Sequence, residues 1–205
     1  MKVVVNAGHT FETPGKASCD GKLKEWEWNL LTAQLTVRSL IASGIDAELV
    51  RATKESDSLT LPVKRTNELC SKYGKKNVLF ISIHCNAAGM GKQWMSARGW
   101  SIWTTVGQTE SDVLATCIYH GAERAFADDK KWGLKLRKDM RDGDVDYEKN
   151  YYVLRNTACP AVLIENFFMD NKEDCAFLLS DESKAYAAEA IVQGVEEYLK
   201  MKNKE

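Results

Sequence analysis

Three runs of β-type residues, VVVNAGH, VLFISIH and AVLIE, are set among amphipathic stretches in alternating order. That alternation favours an α/β sheet with helices on its faces over an all-helical or all-β fold. Each run also ends on a metal-binding or acid/base side chain, His9, His84 and Glu165 respectively. In an open parallel sheet, residues distant in sequence meet outside the carboxyl ends of the strands, so the three ends point to one shared site.

The element boundaries follow from period and punctuation. Lys2 to Ala7 reads as the first strand, and a loop marked by Gly8, Pro14, Gly15 and Gly21 leads into a helix from Glu25 to Ser43. Leu30, Gln34, Val37 and Ile41, with Ala33 and Leu40 beside them, are expected to form that helix's core-facing stripe, and Gly44 stops it. Asp46 to Ala52 is expected as a strand and Leu61 to Tyr73 as a helix opened by Pro62, whose missing N–H does no harm in a first turn. Strands are expected at Asn77 to His84 and Trp100 to Thr105, and Val113, Leu114, Cys117, Ile118 and Gly121 carry helical spacing through Glu110 to Ala127.

From Asp128 to Lys149 charge is dense and period poor, so this stretch is expected to be mostly loop bordering a groove. Tyr151 to Leu154 and Ala161 to Glu165 read as two short strands, the second following Pro160. Asp170 to Leu179 reads as a short helix. Ser183 to Met201 reads as a terminal one, on a stripe of Ala187, Ala188, Ile191, Val192, Val195 and Leu199.

With 205 residues, 44% hydrophobic and 28% charged, the chain has the size and composition of a single domain, residues 1–205. Its net charge of −1, with both signs scattered, lacks the footprint of a nucleic-acid binder. Val3 to Val5 is far too short for a secretory signal and no run is long enough for a membrane span, so the expectation is a chain that stays where it is made. Six cysteines (Cys19, Cys70, Cys85, Cys117, Cys159 and Cys175) contain no C-x-x-C pair and read as reduced, mostly buried thiols.

A hydrolytic zinc site needs about three protein ligands and a nearby general base or acid. His9 and His84 suit two ligand positions, although either alone would equally suit packing. A carboxylate at the start of the first helix, Glu25 or Glu27, suits the third. The same glutamates would also complement a helix N-terminus. Glu165, at the end of a buried run, suits general base and proton donor, with a salt bridge to Arg155 as the competing explanation. Asn6, Asn86 and Asn166 flank these strings as candidate hydrogen-bonding supports. His120 sits in a helical stretch and reads as a surface or packing residue.

Four strings, NAGH at Asn6 to His9, EWEWNL at Glu25 to Leu30, SIHCNA at Ser82 to Ala87 and PAVLIENFFMDN at Pro160 to Asn171, resemble in order and spacing the zinc-dependent N-acetylmuramoyl-L-alanine amidases of the Amidase_3 type. Leu61, Arg65 and Asn67 resemble a further stretch of that family, with Arg65 taken as structural. The resemblance covers nearly the whole chain and implies a mixed, mainly parallel sheet of about six strands. It also implies His9, Glu25 and His84 as Zn2+ ligands and Glu165 as the catalytic glutamate. Glu25 is preferred over Glu27 because the family's ligand precedes the helix asparagine by four positions, as Glu25 precedes Asn29.

The implied substrate is peptidoglycan, cut between the lactyl group of N-acetylmuramic acid and L-alanine. Neither a leader nor a wall-binding module is visible, which suggests a phage or prophage lysin released through a membrane pore, or a chain trimmed of its leader. Trp94, Trp100, Trp103 and Trp132 are candidates to stack on sugar or peptide, although tryptophans in such segments are usually core.

Three other readings compete. A zinc carboxypeptidase shares the residue types, but its close H-x-x-E pair is absent, since sixteen positions separate His9 from Glu25. A cysteine hydrolase on Cys85 and His84 is geometrically poor, because adjacent strand residues face opposite ways. An inactive module that binds peptidoglycan or regulates another hydrolase is disfavoured by the presence of all four site residues.

Overall fold

The computed structural model describes residues 1–204; Glu205, the last position of the expected 1–205 unit, lies outside the described residues. Its centre is a six-stranded sheet in the order β2-β1-β3-β6-β4-β5. The strands are β1 (Lys2–Ala7), β2 (Asp46–Arg51), β3 (Val78–Asn86), β4 (Ser101–Thr104), β5 (Tyr147–Glu148) and β6 (Ala161–Phe168). β2, β1, β3 and β6 run parallel, β4 is antiparallel to β6, and β5 lies parallel to β4. The expected mixed, mainly parallel architecture is therefore present.

Side chains alternate across the pleat, so β1 sends Val3 and Val5 to one face and Val4 to the other. The first face is covered by α1 (Glu25–Ala42), α3 (Glu110–Phe126), α5 (Lys172–Leu179) and α6 (Glu182–Lys202). The second is covered by α2 (Thr60–Tyr73) and the single turn α4 (Tyr152–Arg155). Burial on both faces explains why β1, β3 and β6 read as unbroken apolar runs rather than alternating ones.

Two expectations are corrected here. Tyr151 to Leu154 is not a strand: Tyr151 is extended, and Tyr152–Arg155 then form the short helix α4, with Leu154 and Arg155 N–H groups donating to the Tyr151 carbonyl. Its β-type composition serves burial instead, because Val153 and Leu154 fill the core beneath α2. In α1 the buried face is Glu25, Trp28, Asn29, Thr32, Ala33, Thr36 and Leu40, while Ile41 is exposed and Leu30 and Val37 are half-buried. Two of the polar residues on that face find partners inside the molecule, whereas the buried Thr32 Oγ1 has none. Thr36 Oγ1 donates to the Thr32 carbonyl, and Asn29 Nδ2 to the Gly8 carbonyl.

The stripes expected for α3 and α6 do face the core, and the two helices cross with almost no gap. A Cβ at Gly121 would lie 2.2 Å from the Ala190 carbonyl oxygen, and one at Gly194 would lie 2.3 Å from Ile118 Cα. Gly121→Ala is accordingly expected to destabilise the fold. Overpacking of about 1–3 kcal/mol outweighs the roughly 1 kcal/mol that alanine gains in helix propensity. Urea denaturation of the variant checks this, and an unchanged midpoint would refute it.

The stretch 128–149 is mostly loop, as expected, but it is tied down along its length. The Asp129 carboxylate accepts N–H groups of Lys131, Trp132 and Leu134, and Trp100 exchanges backbone hydrogen bonds with Lys135 and Arg137. The loop ends in β5, which pairs with the β4 edge. Beside that edge Asp146 is buried, and burial, with Asp144 and Asp112 close by, holds its carboxyl well above the ordinary carboxylate range. All six cysteines are free thiols and five of them are buried.

Candidate metal centre

His84 is carried by β3 near its carboxyl end and stands beside Glu165 of β6 in the parallel register. His9 lies just past β1, in a left-handed backbone conformation (φ 64°) that turns the chain sharply out of the sheet. The loop then returns to α1, whose first residue is Glu25. Glu25 is 1% exposed, whereas Glu27 points to solvent, which separates the two candidates.

Glu25 Oε1 lies 3.5 Å from His9 Nε2 and 3.4 Å from His84 Nδ1, and one ligand atom from each of the three falls within 4.8 Å of the others. The imidazoles meet edge to face with centroids 4.9 Å apart. Ligands about 2.0–2.1 Å from one ion at tetrahedral angles lie roughly 3.3–3.5 Å apart, so the Glu25–His9 and Glu25–His84 spacings suit a small divalent cation. Two buried carboxylate oxygens, Glu25 Oε2 and Glu165 Oε2, have no hydrogen-bond partner. Buried carboxylates without donors are costly, and a cation at this point relieves that cost. These residues form a possible metal-binding group.

The electrostatics favour ligation over ion pairing. Burial drives the His9 imidazole down to about 4, so it is neutral at pH 7 with a lone pair free. Burial also works against Glu25, but His84, His9 and Lys16 outweigh it and hold the carboxylate below its usual range. Glu165 is pushed up to about 7 by burial first and by Glu25, against a pull from His84. The expected alternative, an ion pair from Glu165 to Arg155, is absent among the described residues: Glu165 Oε2 has no partner, and Arg155, the last residue of α4, lines a cavity at the other ends of β3 and β6.

A supporting layer fixes the rings. Asn6 Nδ2 donates to Ser82 Oγ (2.8 Å), which lies within hydrogen-bond distance of His84 Nε2 at 3.1 Å; were Nδ1 to ligate a metal, Nε2 would carry the ring proton and donate it to Ser82. Asn166 Nδ2 donates to the His84 carbonyl, and its Oδ1 accepts from Trp100 Nε1. Asn86 caps its own turn through Ala87 N–H. Ser82 and Gly8 were missed by sequence reasoning. Ser82 was available in principle, since residues two apart on a strand share a face and it stands two before His84. Gly8 packs directly under the His84 ring: a Cβ there would come within 2.2–2.6 Å of three ring atoms.

His9, Glu25, His84 and Glu165 line one cleft of about 440 Å³, walled by Trp103, Tyr151 and Lys149. Of the four tryptophans singled out, Trp103 lines this cleft, stacked on Tyr147 with centroids 4.8 Å apart. Trp100 is 1% exposed in the core, and Trp94 and Trp132 pack against it. Cys85 is buried with its thiol held far above its ordinary value by burial and by Glu25 and Glu165, which disposes of the cysteine nucleophile. His120 pairs with Glu197 at 2.9 Å on the α3–α6 surface, and Arg65 bridges Glu48 and Glu68.

Comparison with known proteins agrees with this arrangement. Residues 3–197 match the Amidase_3 family, described as N-acetylmuramoyl-L-alanine amidase. The endolysin of Bacillus phage SPP1 is 32% identical over 204 residues, covering 98% of this chain and 67% of the endolysin. The N-acetylmuramoyl-L-alanine amidase CwlM of Bacillus licheniformis is 29% identical over 88% of this chain, which spans 61% of CwlM. The catalytic domain of CwlV, an N-acetylmuramoyl-L-alanine amidase from Bacillus (Paenibacillus) polymyxa var. colistinus, superposes with a TM-score of 0.77 at 25% identity, covering 97% of this chain and 98% of that one. The fold is thus shared along nearly the whole length of this chain. The chain belongs to the Amidase_3 family and is an N-acetylmuramoyl-L-alanine amidase domain.

Proposed function

We propose that this domain, across residues 1–205, hydrolyses the amide between the lactyl group of N-acetylmuramic acid and L-alanine in peptidoglycan. Zinc would be held by His9 Nε2, Glu25 Oε1 and His84 Nδ1. The observation that carries the reading is the convergence of two imidazoles and a buried carboxylate in one cleft, beside a second carboxylate whose buried Oε2 has no hydrogen-bond partner. When bound, zinc would supply Lewis acidity to the scissile carbonyl and the attacking water.

The chain's own groups account for the rest. Glu165 accepts the proton of the attacking water as its oxygen bonds to the carbonyl carbon, and returns that proton to the alanine nitrogen as the C–N bond breaks. Ser82 and Asn6 keep His84 in one tautomer and orientation. Trp103 and Tyr151 offer apolar walls suited to sugar or peptide, and Lys149 offers a cation to the stem's carboxylates. Action on the cell wall after release from a phage-infected cell fits the likeness to an endolysin.

Product analysis tests this. Zinc-loaded protein incubated with purified peptidoglycan should release stem peptides with N-terminal L-alanine, and a chelated sample should not. Trimmed stems would instead indicate a carboxypeptidase, and tight wall binding with intact linkages a non-catalytic module. Without a metal Glu165 holds its proton up to about 7, and a bound cation beside it would draw that value down, so the same assay run against pH should lose rate on an acid limb that lies below about 7. That limb should be absent from the residual activity of Glu165→Gln, and an unchanged profile in the variant would remove Glu165 from the role.

A further inference from the structure

A second cluster of carboxylates lies away from the cleft, where the end of β4, the first turn of α3 and the loop before β5 meet. One oxygen each from Asp112, Asp144 and Asp146 falls within 4.8 Å of the others. Asp112 and Asp146 are buried, Asp146 to 1% exposure. Their outer oxygens are held by donors: Thr104 Oγ1 donates to Asp146 Oδ2, Gln108 Nε2 to Asp144 Oδ2 at 2.9 Å, and Thr109 N–H to Asp112 Oδ2. Two of the three remaining oxygens, Asp144 Oδ1 and Asp146 Oδ1, are buried and have no hydrogen-bond partner.

The cations nearby are committed elsewhere. Arg141, in the same loop, pairs with Asp139, and His120 and Arg124 pair with Glu197. Three converging carboxylates with two donorless buried oxygens repel one another unless a retained proton or a metal cation relieves them. A surface cavity of about 290 Å³ reaches Asp112 and Asp144 past Gln108 and Thr109, so an ion can enter from solvent.

We propose that Asp112, Asp144 and Asp146 form a second metal site, selective for a hard divalent cation of the calcium type. The donor set is all oxygen, without the imidazole or thiolate that would draw zinc, and such sets take Ca2+ or Mg2+. The site fastens the loop before β5 to β4 and to the start of α3. That loop runs through Tyr147 and Glu148 directly into Lys149 and Tyr151, which wall the cleft. Cation binding here fixes one wall of the cleft from outside it. That consequence rests on the amidase reading above, whereas the binding does not.

Full-length, zinc-loaded protein provides the test. Tyr147, next to Asp146 and stacked on Trp103, is placed to sensitise Tb3+, a luminescent calcium surrogate. Ultraviolet excitation should give terbium emission that Ca2+ displaces. Calcium at a hundred times its dissociation constant should raise the melting temperature by about 5 °C or more. Both responses should vanish in Asp144→Asn and Asp146→Asn with zinc content unchanged. Asp144 is the less buried of the two, so its variant keeps the test alive if Asp146→Asn folds poorly.

A response to magnesium in place of calcium supports the site and selects the smaller ion. No terbium emission and no thermal shift with either ion at millimolar concentration would overturn it, as would a full response in Asp144→Asn. Binding with unaltered peptidoglycan cleavage would overturn the cleft-wall consequence alone. Failure of cleavage in every sample would instead count against the amidase reading, and leaves the binding result standing.

Discussion

Glu165→Gln is expected to retain zinc and to lose amide hydrolysis by about 10²–10⁴-fold, the usual worth of a positioned general acid/base. Glutamine preserves the shape at the end of β6 but can neither take a proton from water nor return one to the leaving nitrogen. The same substitution should stabilise the metal-free protein at neutral pH and above. The unfolded chain sheds this proton near 4.5, while the folded chain holds it until about 7. Between those values the folded state binds the extra proton, so stability is lost as pH rises through the window. The shift corresponds to roughly 3 kcal/mol of burial cost, which glutamine avoids. Denaturation of chelated protein should therefore show the variant more stable than wild type at pH 8 and nearly equal at pH 4. Near-normal turnover, or a variant less stable at pH 8, would remove Glu165 from the mechanism.

Gly8→Ala is expected to do comparable damage without touching a ligand. An added methyl carbon would fall 2.2 Å from His84 Cε1, 2.4 Å from Nε2 and 2.6 Å from Nδ1. Both sides of the clash are held: Gly8 N–H donates to the Ile83 carbonyl, its own carbonyl accepts from Asn29, and the His84 ring is fixed by Ser82. The imidazole is the softer partner, so it swings away, breaking its bond to Ser82 and withdrawing Nδ1 from Glu25. Zinc affinity should fall by about 10–100-fold or more, on the scale seen when the support of a ligand is lost. Hydrolysis should fall with it and recover partly in excess zinc. Zinc titration of the variant decides the matter, with circular dichroism showing that the sheet persists; wild-type affinity would mean that the ring contact carries no weight.

How much of this was legible beforehand depends on the range of the interactions. β1, β3 and β6 announce themselves because burial on both faces leaves continuous apolar runs, and their ends give His9, His84 and Glu165 at once. Helix position alone leaves Glu25 and Glu27 open; the family resemblance, with an acidic residue four before the helix asparagine, favours Glu25, and Glu25 is the buried one. Tyr151 to Leu154 was misread because aromatic and β-branched residues favour strands in general. Here Val153 and Leu154 instead plug the layer under the sheet from one helical turn. The buried face of α1 departs from the apolar stripe because Thr36 and Asn29 find hydrogen-bond partners inside the molecule, which a polarity pattern cannot register. The aspartate cluster was invisible for a different reason: Thr104 meets Asp146 across 42 residues of chain.

The proposed ligand trio spans both layers of the molecule. His84 projects on the α2 side of the sheet, whereas Glu25 begins α1, which packs on the other side and reaches over the strand ends to accept the Cys85 N–H at 3.1 Å. A cation held by both would act as a rivet through the edge of the sheet. Opening motions that separate α1 from β3 would then have to break metal–ligand bonds as well as apolar contacts, so amide hydrogen exchange at Cys85 and along the first turn of α1 would report on site occupancy without any substrate present.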